Sequence, residues 1–221
     1  MMKTLFLGLI CSGIFSFFTS AQVPKGMGKS DADAKKILDA VSTKFKSYKS
    51  VSAKFVLKIE NASGKNIGSK SGTVYMKSTK YRVSLPGQDI FSDGSTTWLY
   101  EKSSNEVTIN KIDPTANSIT PQKLFTNFYD KDFLYKLNGT VKQGGKDMQE
   151  IELTPVDKSK PFHKVLLYVN ASTIYSTKVY EKTGNRYTYS VSNMNTTSNI
   201  ADNMFVFDAK KYPGVEVVDL R

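Results

Sequence analysis

The stretch "VSAKFVLKIE", residues 51 to 60, decides the fold. Val51, Ala53, Phe55, Leu57 and Ile59 are apolar at every second position, and Ser52, Lys54, Val56, Lys58 and Glu60 lie between them. A period of two places one set of side chains on one face of a pleated strand. Just upstream the period is that of a helix. Ile37, Leu38, Val41 and Phe45 recur at three- and four-residue spacing, with Lys35, Lys36, Asp39, Lys44 and Lys46 elsewhere. Ser30-Asp31-Ala32-Asp33 supplies an N-cap and first-turn acids, so the spacing predicts an amphipathic helix over 31–49. Its apolar stripe must pack on something.

Downstream, strands follow one another with turn punctuation. Lys70–Lys77 carries Val74 and Met76 on one face, and Tyr81, Val83 and Leu85 mark a strand ended by Pro86-Gly87. Strands near 88–92 and 96–101 flank Asp93-Gly94, a strong hairpin signal. This hairpin holds the single tryptophan, Trp98, in "FSDGSTTWLY". Three roles are open to Trp98: a core anchor, a sugar platform, or part of a wall that greasy ligands touch. Glu106–Lys111 is another strand. Pro114–Pro121 interrupts the pattern, and a short helical patch follows with Leu124, Phe125, Phe128 and Tyr129. From Phe133 on, strands alternate again with turns at Asn138-Gly139, Gly144-Gly145, Asn170 and Gly184-Asn185. Asp202–Asp208, with Phe205 and Phe207, and a terminal segment after Pro213-Gly214 complete the series.

The expected class is mainly β with some α. About ten or eleven short strands joined by tight turns imply an antiparallel, mostly up-and-down sheet, and that many curl into a barrel or split into a sandwich. The two amphipathic helical segments have one burial site, the concave face or mouth of the curled sheet, because elsewhere they would expose large apolar patches.

The first residues have a different purpose. Met1-Met2-Lys3 is a short positive start, Thr4–Phe18 is apolar, and Thr19-Ser20-Ala21 is a small-residue cleavage pattern. Residues 1–21 read as a secretory signal peptide cleaved near Ala21, so the mature protein is expected to be exported. Cys11 is no lipidation site on this reading, because Leu9 and Ile10 precede it and the apolar run continues past it. Residues 22–221 make one domain with no cysteine, an exported chain without disulfides. No later stretch reaches the ~20 apolar residues of a membrane-spanning helix.

The formal charge is +11 and is spread over the whole chain. A solvated surface accounts for it. So does attraction to anionic membrane surfaces or acidic partner faces. No basic cluster or motif points to nucleic acid.

Catalytic apparatus is thin. The one histidine, His163, follows Pro161 at a strand start. There is no Gly-x-Ser-x-Gly elbow and no spaced set of metal ligands. Asp130-Lys131-Asp132 lacks the glycine and glutamate that would complete a calcium loop. Glu150 and Glu152 share one strand, whereas paired catalytic carboxylates face each other across a cleft. Asn-x-Ser/Thr triplets at Asn61, Asn138, Asn170 and Asn195 all fall in turns, and turn chemistry explains them. The expectation is no enzyme, no cofactor and no metal. The stock of 12 Tyr and 13 Phe suits either an ordinary β-core or a hydrophobic ligand cavity.

The order of signals resembles one family, the LolA-type periplasmic carriers of outer-membrane lipoproteins. "FKSYKSVSAKF" at 45–55 resembles the family's helix end running into its first strand, and "SGTVYMK" at 71–77 its second strand. "SDGSTTWLY" at 92–100 is similar to its Ser-Asp-Gly turn and Trp-x-Tyr, and "FVFDAKKYPGVEVVDLR" at 205–221 to its ending. The similarity covers nearly all of the mature chain. It implies an unclosed antiparallel β-barrel with a helical lid over a concave hydrophobic cavity that shelters acyl chains. It also implies that acylated lipoproteins are taken from an inner-membrane release complex and given to an outer-membrane acceptor, without covalent chemistry and by a monomer. The same scaffold without delivery would be a lipid- or lipoprotein-sensing module.

On that resemblance, alternation assigns the lipid-binding lining to Phe55, Leu57, Ile59, Val74, Met76, Tyr81, Val83, Leu85, Ile90, Trp98 and Tyr100. The lid side would be Leu38, Val41, Phe45, Leu124, Phe125 and Phe128. One departure stands out. Well-known members carry Lys-Arg-Pro after the second strand, with the arginine tied to lid closure. Here the stretch is Lys77-Ser78-Thr79, and Lys80 and Arg82 are nearby but displaced.

Overall fold

The computed structural model describes residues 30–112 and 129–221. The predicted first helix is α1 (Ala32–Ser47), capped by Asp31, whose carboxylate accepts from the amides of Asp33 (2.8 Å) and Ala34 (3.5 Å). Its stripe of Ala34, Leu38 and Val41 is buried. Six strands follow: β1 (Val51–Glu60), β2 (Asn66–Lys77), β3 (Lys80–Ser84), β4 (Gln88–Ser92), β5 (Thr96–Glu101) and β6 (Glu106–Lys111). After a single helical turn, α2 (Tyr129–Asp132), come β7 (Phe133–Gln143), β8 (Lys146–Pro155), β9 (Phe162–Asn170), β10 (Thr173–Glu181) and β11 (Arg186–Asn195). Two 3₁₀ turns, Asp202–Phe205 and Ala209–Lys211, precede β12 (Glu216–Asp219).

All strands belong to one sheet in the order β12-β6-β5-β4-β3-β2-β1-β11-β10-β9-β8-β7. It is two antiparallel meanders, β1–β6 and β7–β11, joined where β1 pairs with β11. The terminal strands of this order do not pair with each other, so the sheet is unclosed, as expected. Three details differ from the sequence reading. Asn138-Gly139 is no turn: β7 runs through it, with a register shift between Leu137 and Gly139. Asp202–Asp208 is no strand: it has no strand partner and buries Phe205 and Phe207 instead. And β12 pairs with β6 in parallel, Val217 beside Val107, not antiparallel. Residues 196–215 carry the chain from β11 to that far edge of the sheet, where β12 lies beside β6.

Asp31 explains part of how one edge is managed. Its backbone N–H donates to the Tyr135 carbonyl (2.9 Å), and its second carboxylate oxygen accepts from the Leu137 amide (3.2 Å). One residue therefore caps α1 and occupies part of the exposed edge of β7, which blunts a template for strand pairing.

Register decides which side chains share a face. Phe55 lies opposite Gly72 and Val191, Leu57 opposite Tyr189, and Ile59 opposite Tyr187. Val74 pairs with Val83 and Met76 with Tyr81, and Val83 pairs with Ile90. These residues lie on the α1 side of the sheet. Two apolar clusters fill it. One joins Ala34, Leu38 and Val41 of α1 to Tyr135, Ile151, Leu153, Val165 and Leu167. The other joins Val51, Ala53, Val74, Met76 and Tyr81, with Phe45, Tyr48, Phe55, Val83 and Ile90 packed against them.

Gly72 has a packing reason. A methyl group there would sit 2.3 Å from the Ser84 carbonyl oxygen and 2.9 Å from the Phe55 ring, so the glycine leaves the space in which that ring lies. Gly94 has a conformational one. Its φ of +97° is open to glycine at no steric cost, and it completes a turn in which the Asp93 carboxylate accepts from the Ser95 and Thr96 amides, each at 2.8 Å.

Several carboxylates have their pKa held below the ordinary value. Asp31 is lowered by the Asp33 and Leu137 amides, Glu60 by Lys58 and Lys178, and Asp202 by Lys77 and Lys80. Groups with a depressed folded pKa contribute stability that is complete above their unfolded pKa and lost as pH falls through the folded value. The unfolded reference is about 4. The melting temperature is therefore expected to change little with these groups above about pH 5 and to fall steadily below about pH 4. Scanning calorimetry across that range checks this. A melting temperature that stays level down to about pH 2.5 would contradict it, as the unfolded chain's carboxylates are protonated there while the folded state still favours their charged form.

Candidate functional site

The α1 side of the sheet is the candidate site, and it is largely apolar, with Lys70 beside Leu57 as a charged exception. Going across β10, β11, β1, β2, β3 and β4, the register places Val179, Tyr187 and Ile59 in one row, and Thr177, Tyr189 and Leu57 in the next. Phe55 with Val191, and then Val74, Val83 and Ile90, extend the same face. Val74, Met76 and Tyr81 are buried, whereas Phe55, Leu57, Ile59, Val83 and Ile90 are only half-buried. Half-buried apolar side chains in a strip are what a greasy ligand can still cover. Burial also raises the pKa of the Tyr189 phenol.

α1 lies on the other end of this face. Leu38, with 1% of its surface exposed, and Val41 pack into the sheet, and Phe45 packs against the β1–β3 cluster. Beneath the C-terminal half of α1 there is a cleft lined by Val41, Phe45, Tyr48, Ile174 and Met194, with a volume of about 10 Å³. That is room for about one water and for no acyl chain. The helix side chains occupy the space instead. Polar contacts hold α1 from above: Lys35 bridges Asp39 (3.0 Å) and Asp130 (3.3 Å), and the Tyr129 hydroxyl donates to Asp39 (3.0 Å). Burial first, and then Asp39, push the Tyr129 phenol's pKa well up. Leu124, Phe125 and Phe128, the other half of the expected lid, lie outside the described residues.

Three of the expected lining residues are placed differently. Trp98 and Tyr100 do not share a face with Ile90. The β4–β5 register pairs Ile90 with Leu99, and Phe91 with Trp98. Trp98 and Tyr100 therefore point to the opposite side, where they form a cluster with Phe91, Val107, Ile109 and Phe207. There the C-terminal segment covers them. Phe207 stacks on Tyr212 at 4.5 Å and meets Phe91 edge-on at 5.7 Å, and Tyr100 lies 4.5 Å from Tyr212. The Tyr100 hydroxyl donates to Asn105 (3.0 Å), whose amide donates to the Pro213 carbonyl (3.1 Å). Leu85 falls in the turn after β3, half-buried.

Conversely, Val179, Tyr187, Tyr189, Val191 and Leu99 share the face with the expected residues, though the sequence reading of the lining does not extend to them. The signal is present in the chain: Tyr187, Tyr189 and Val191 alternate as a strand. What it lacks is any mark that β11 pairs with β1.

Ser78, which the resemblance sets against the family's arginine, has φ +53° in the β2–β3 turn. Lys77 beside it donates to the Ile200 carbonyl (3.0 Å) and to Asp202 (2.8 Å), and Lys80 binds the same carboxylate (3.0 Å). These cations tie the turn to the C-terminal segment. Arg82 points to the same side as Trp98, with its guanidinium 4.5 Å above Phe91 and one bond to the buried Asp89 (3.1 Å).

His163 is exposed, with its ring 6.2 Å from Tyr180. Glu150 and Glu152 both accept from the Asn138 amide. No group of three or more His, Cys, Asp or Glu residues that could hold a metal occurs among the described residues. Nor is any helix among them long and apolar enough to cross a membrane.

Comparison with known proteins bears on the family. Residues 46–208 match the family described as outer membrane lipoprotein carrier protein LolA. An outer-membrane lipoprotein carrier protein of Cupriavidus necator is 29% identical over 160 residues, covering 70% of this chain and 74% of that one. One of Haemophilus influenzae is 30% identical over 178 residues, covering 77% and 81%. Among solved structures, an uncharacterized conserved protein from Thermus thermophilus superposes with a TM-score of 0.57 at 14% identity, over 85% of this chain and 99% of that one.

Proposed function

Because this chain belongs to the LolA family of outer membrane lipoprotein carriers, we propose that it shelters lipoprotein acyl chains on the α1 side of its sheet and shuttles them across the periplasm. The observation that carries this reading is the apolar strip, half-buried at Phe55, Leu57, Ile59, Val83 and Ile90 and overlaid at one end by α1.

Each CH₂ buried is worth about 0.8 kcal/mol, so an anchor of two or three acyl chains loses on the order of tens of kcal/mol on entering water. A carrier replaces that burial and must also give it up. An apolar helix side that fills the same space does both. Val41 and Phe45 cover the face when it is empty, and acyl chains displace them when it is loaded. Cargo affinity is then the difference between acyl–sheet and helix–sheet contact, not the whole of the former. The polar bonds from Lys35 to Asp130 and from Tyr129 to Asp39 add to the closed side of that balance. Cargo would come from an inner-membrane release complex and go to an outer-membrane acceptor, with residues 1–21 as the export signal.

The test is capture in cells. Acylated lipoproteins are expected to co-purify with the tagged protein and to accumulate at the inner membrane when it is depleted. If they do neither, the carrier reading fails.

A further inference from the structure

The face of the sheet opposite the apolar strip has its own organisation. In one row the register sets Lys164, Tyr180, Arg186 and Glu60 side by side across β9, β10, β11 and β1. In the next row stand Leu166, Lys178, Thr188 and Lys58. The Tyr180 ring has three cations against it: Lys164 at 4.6 Å, Lys178 at 5.6 Å and Arg186 at 5.7 Å. Lys54, two residues before the exposed Val56, adds a further cation on the same face of β1. Glu60 is the carboxylate among them, shared by Lys58 (3.1 Å) and Lys178 (3.2 Å). The acids beyond β9, Glu150 and Glu152, are bonded by Asn138. Between the cations lie short hydroxyl side chains, Ser71, Thr73, Thr188, Ser190 and Ser192.

We infer that this face holds the protein against anionic lipid bilayers. Five cations on adjacent strands around a single carboxylate repel one another, and an anionic surface relieves that repulsion. The charges are spread over a hydroxyl-lined sheet, which suits a plane of headgroups better than the side chains of one partner. Tyr180 is the residue type that sits at headgroup level, an apolar ring with a polar tip. Geometry adds a further reason. The apolar strip projects from the other side of the same sheet, so a protein lying on this face keeps its acyl-binding side off the bilayer and open to partners. The attraction is electrostatic and does not depend on the acyl-carrying reading.

The experiment is sedimentation of the purified protein, residues 22–221, with lipid vesicles. It is expected to bind vesicles containing about 30% phosphatidylglycerol and not pure phosphatidylcholine, with binding lost near about 0.5 M salt. Each cation removed is expected to weaken binding about fivefold. Lys54→Gln with Lys164→Gln, both clear of Glu60, should thus cost at least about tenfold without disturbing the fold, and adding Arg186→Gln should cost more. Affinity for a fluorescent acyl probe is expected to be unchanged in these variants, so failure here is distinguishable from failure of the carrier reading. Equal binding to neutral vesicles, binding indifferent to salt, or a double variant that binds like the parent would overturn the proposal. So would tighter binding to soluble polyglutamate than to anionic vesicles, which would make the face a protein-docking surface.

Discussion

Leu57→Glu is expected to abolish acyl binding while leaving the protein folded. Leu57 is half-buried in the middle of the strip, between Tyr189 of β11 and Lys70 of β2. In the empty protein the new carboxylate can reach water past these neighbours, and Lys70 stands opposite it. Under bound acyl chains it cannot. An ion held out of water without good pairing costs several kcal/mol. A loss of at least about 100-fold in affinity, near 2.8 kcal/mol, follows. Fluorescence titration with an acyl probe measures it, and the circular dichroism spectrum and melting temperature report folding. A folded variant that binds within about threefold of the parent would remove the strip from the binding site. Val56→Glu is the companion control. It changes the adjacent residue on the opposite face, and it should leave acyl affinity unaltered.

Trp98→Ala carries the second large effect, and it falls on stability. Trp98 is 9% exposed and packed in the cluster roofed by Phe207 and Tyr212. Truncation of a buried Trp costs about 3–5 kcal/mol, through lost burial and the cavity left behind. In a domain of this size each kcal/mol lowers the melting temperature by about 2–4 °C, so a fall of at least about 6 °C is expected. Acyl affinity, measured below the new transition, should be unchanged, because the sheet lies between Trp98 and the strip. The parent protein offers an independent check. Trp98 emission should be indifferent to brominated acyl ligands, whose heavy atoms quench at contact. Strong quenching would put the ligand on the Trp98 side and overturn the assignment of faces.

The pair of variants separates two apolar regions that look alike in composition. Both contain Phe and Tyr in alternating strands, yet one is closed by the chain's own C-terminal segment and the other remains half-open. Phe207, Tyr212 and Val215 already complete the cluster around Trp98. Phe55, Leu57 and Ile59 stay half-buried. The role of core anchor therefore goes to Trp98, and that of candidate wall to the β1 row.

The departure at Lys77-Ser78-Thr79 gains a physical content in the same way. In place of an arginine, the turn offers Lys77 and Lys80, which bind Asp202 on the C-terminal segment. What ties α1 to its neighbours here is the bond of Lys35 to Asp130, that of Tyr129 to Asp39, and the packing of Leu38, Val41 and Phe45.

By itself the sequence determined the elements and their periods. The alternation at 51–60, the helical spacing at 37–45, and the Asp93-Gly94 turn are local matters, set by backbone stereochemistry and by which side chains can be buried. The mainly β class and the unclosed sheet followed from them and from the resemblance. Only the tertiary structure decided which face each strand presents to which neighbour. Alternation along one strand is relative. It says that Trp98 and Tyr100 agree with each other but not whether they agree with Ile90, since a turn of one residue more or less inverts the answer. The pairing of β1 with β11, which brings Tyr187 and Tyr189 to the strip, joins residues more than a hundred positions apart. The return of the C-terminus over the Trp98 side is just as remote. Contacts of that range leave no local period in the chain, because they are selected by the burial of whole faces once the sheet has formed.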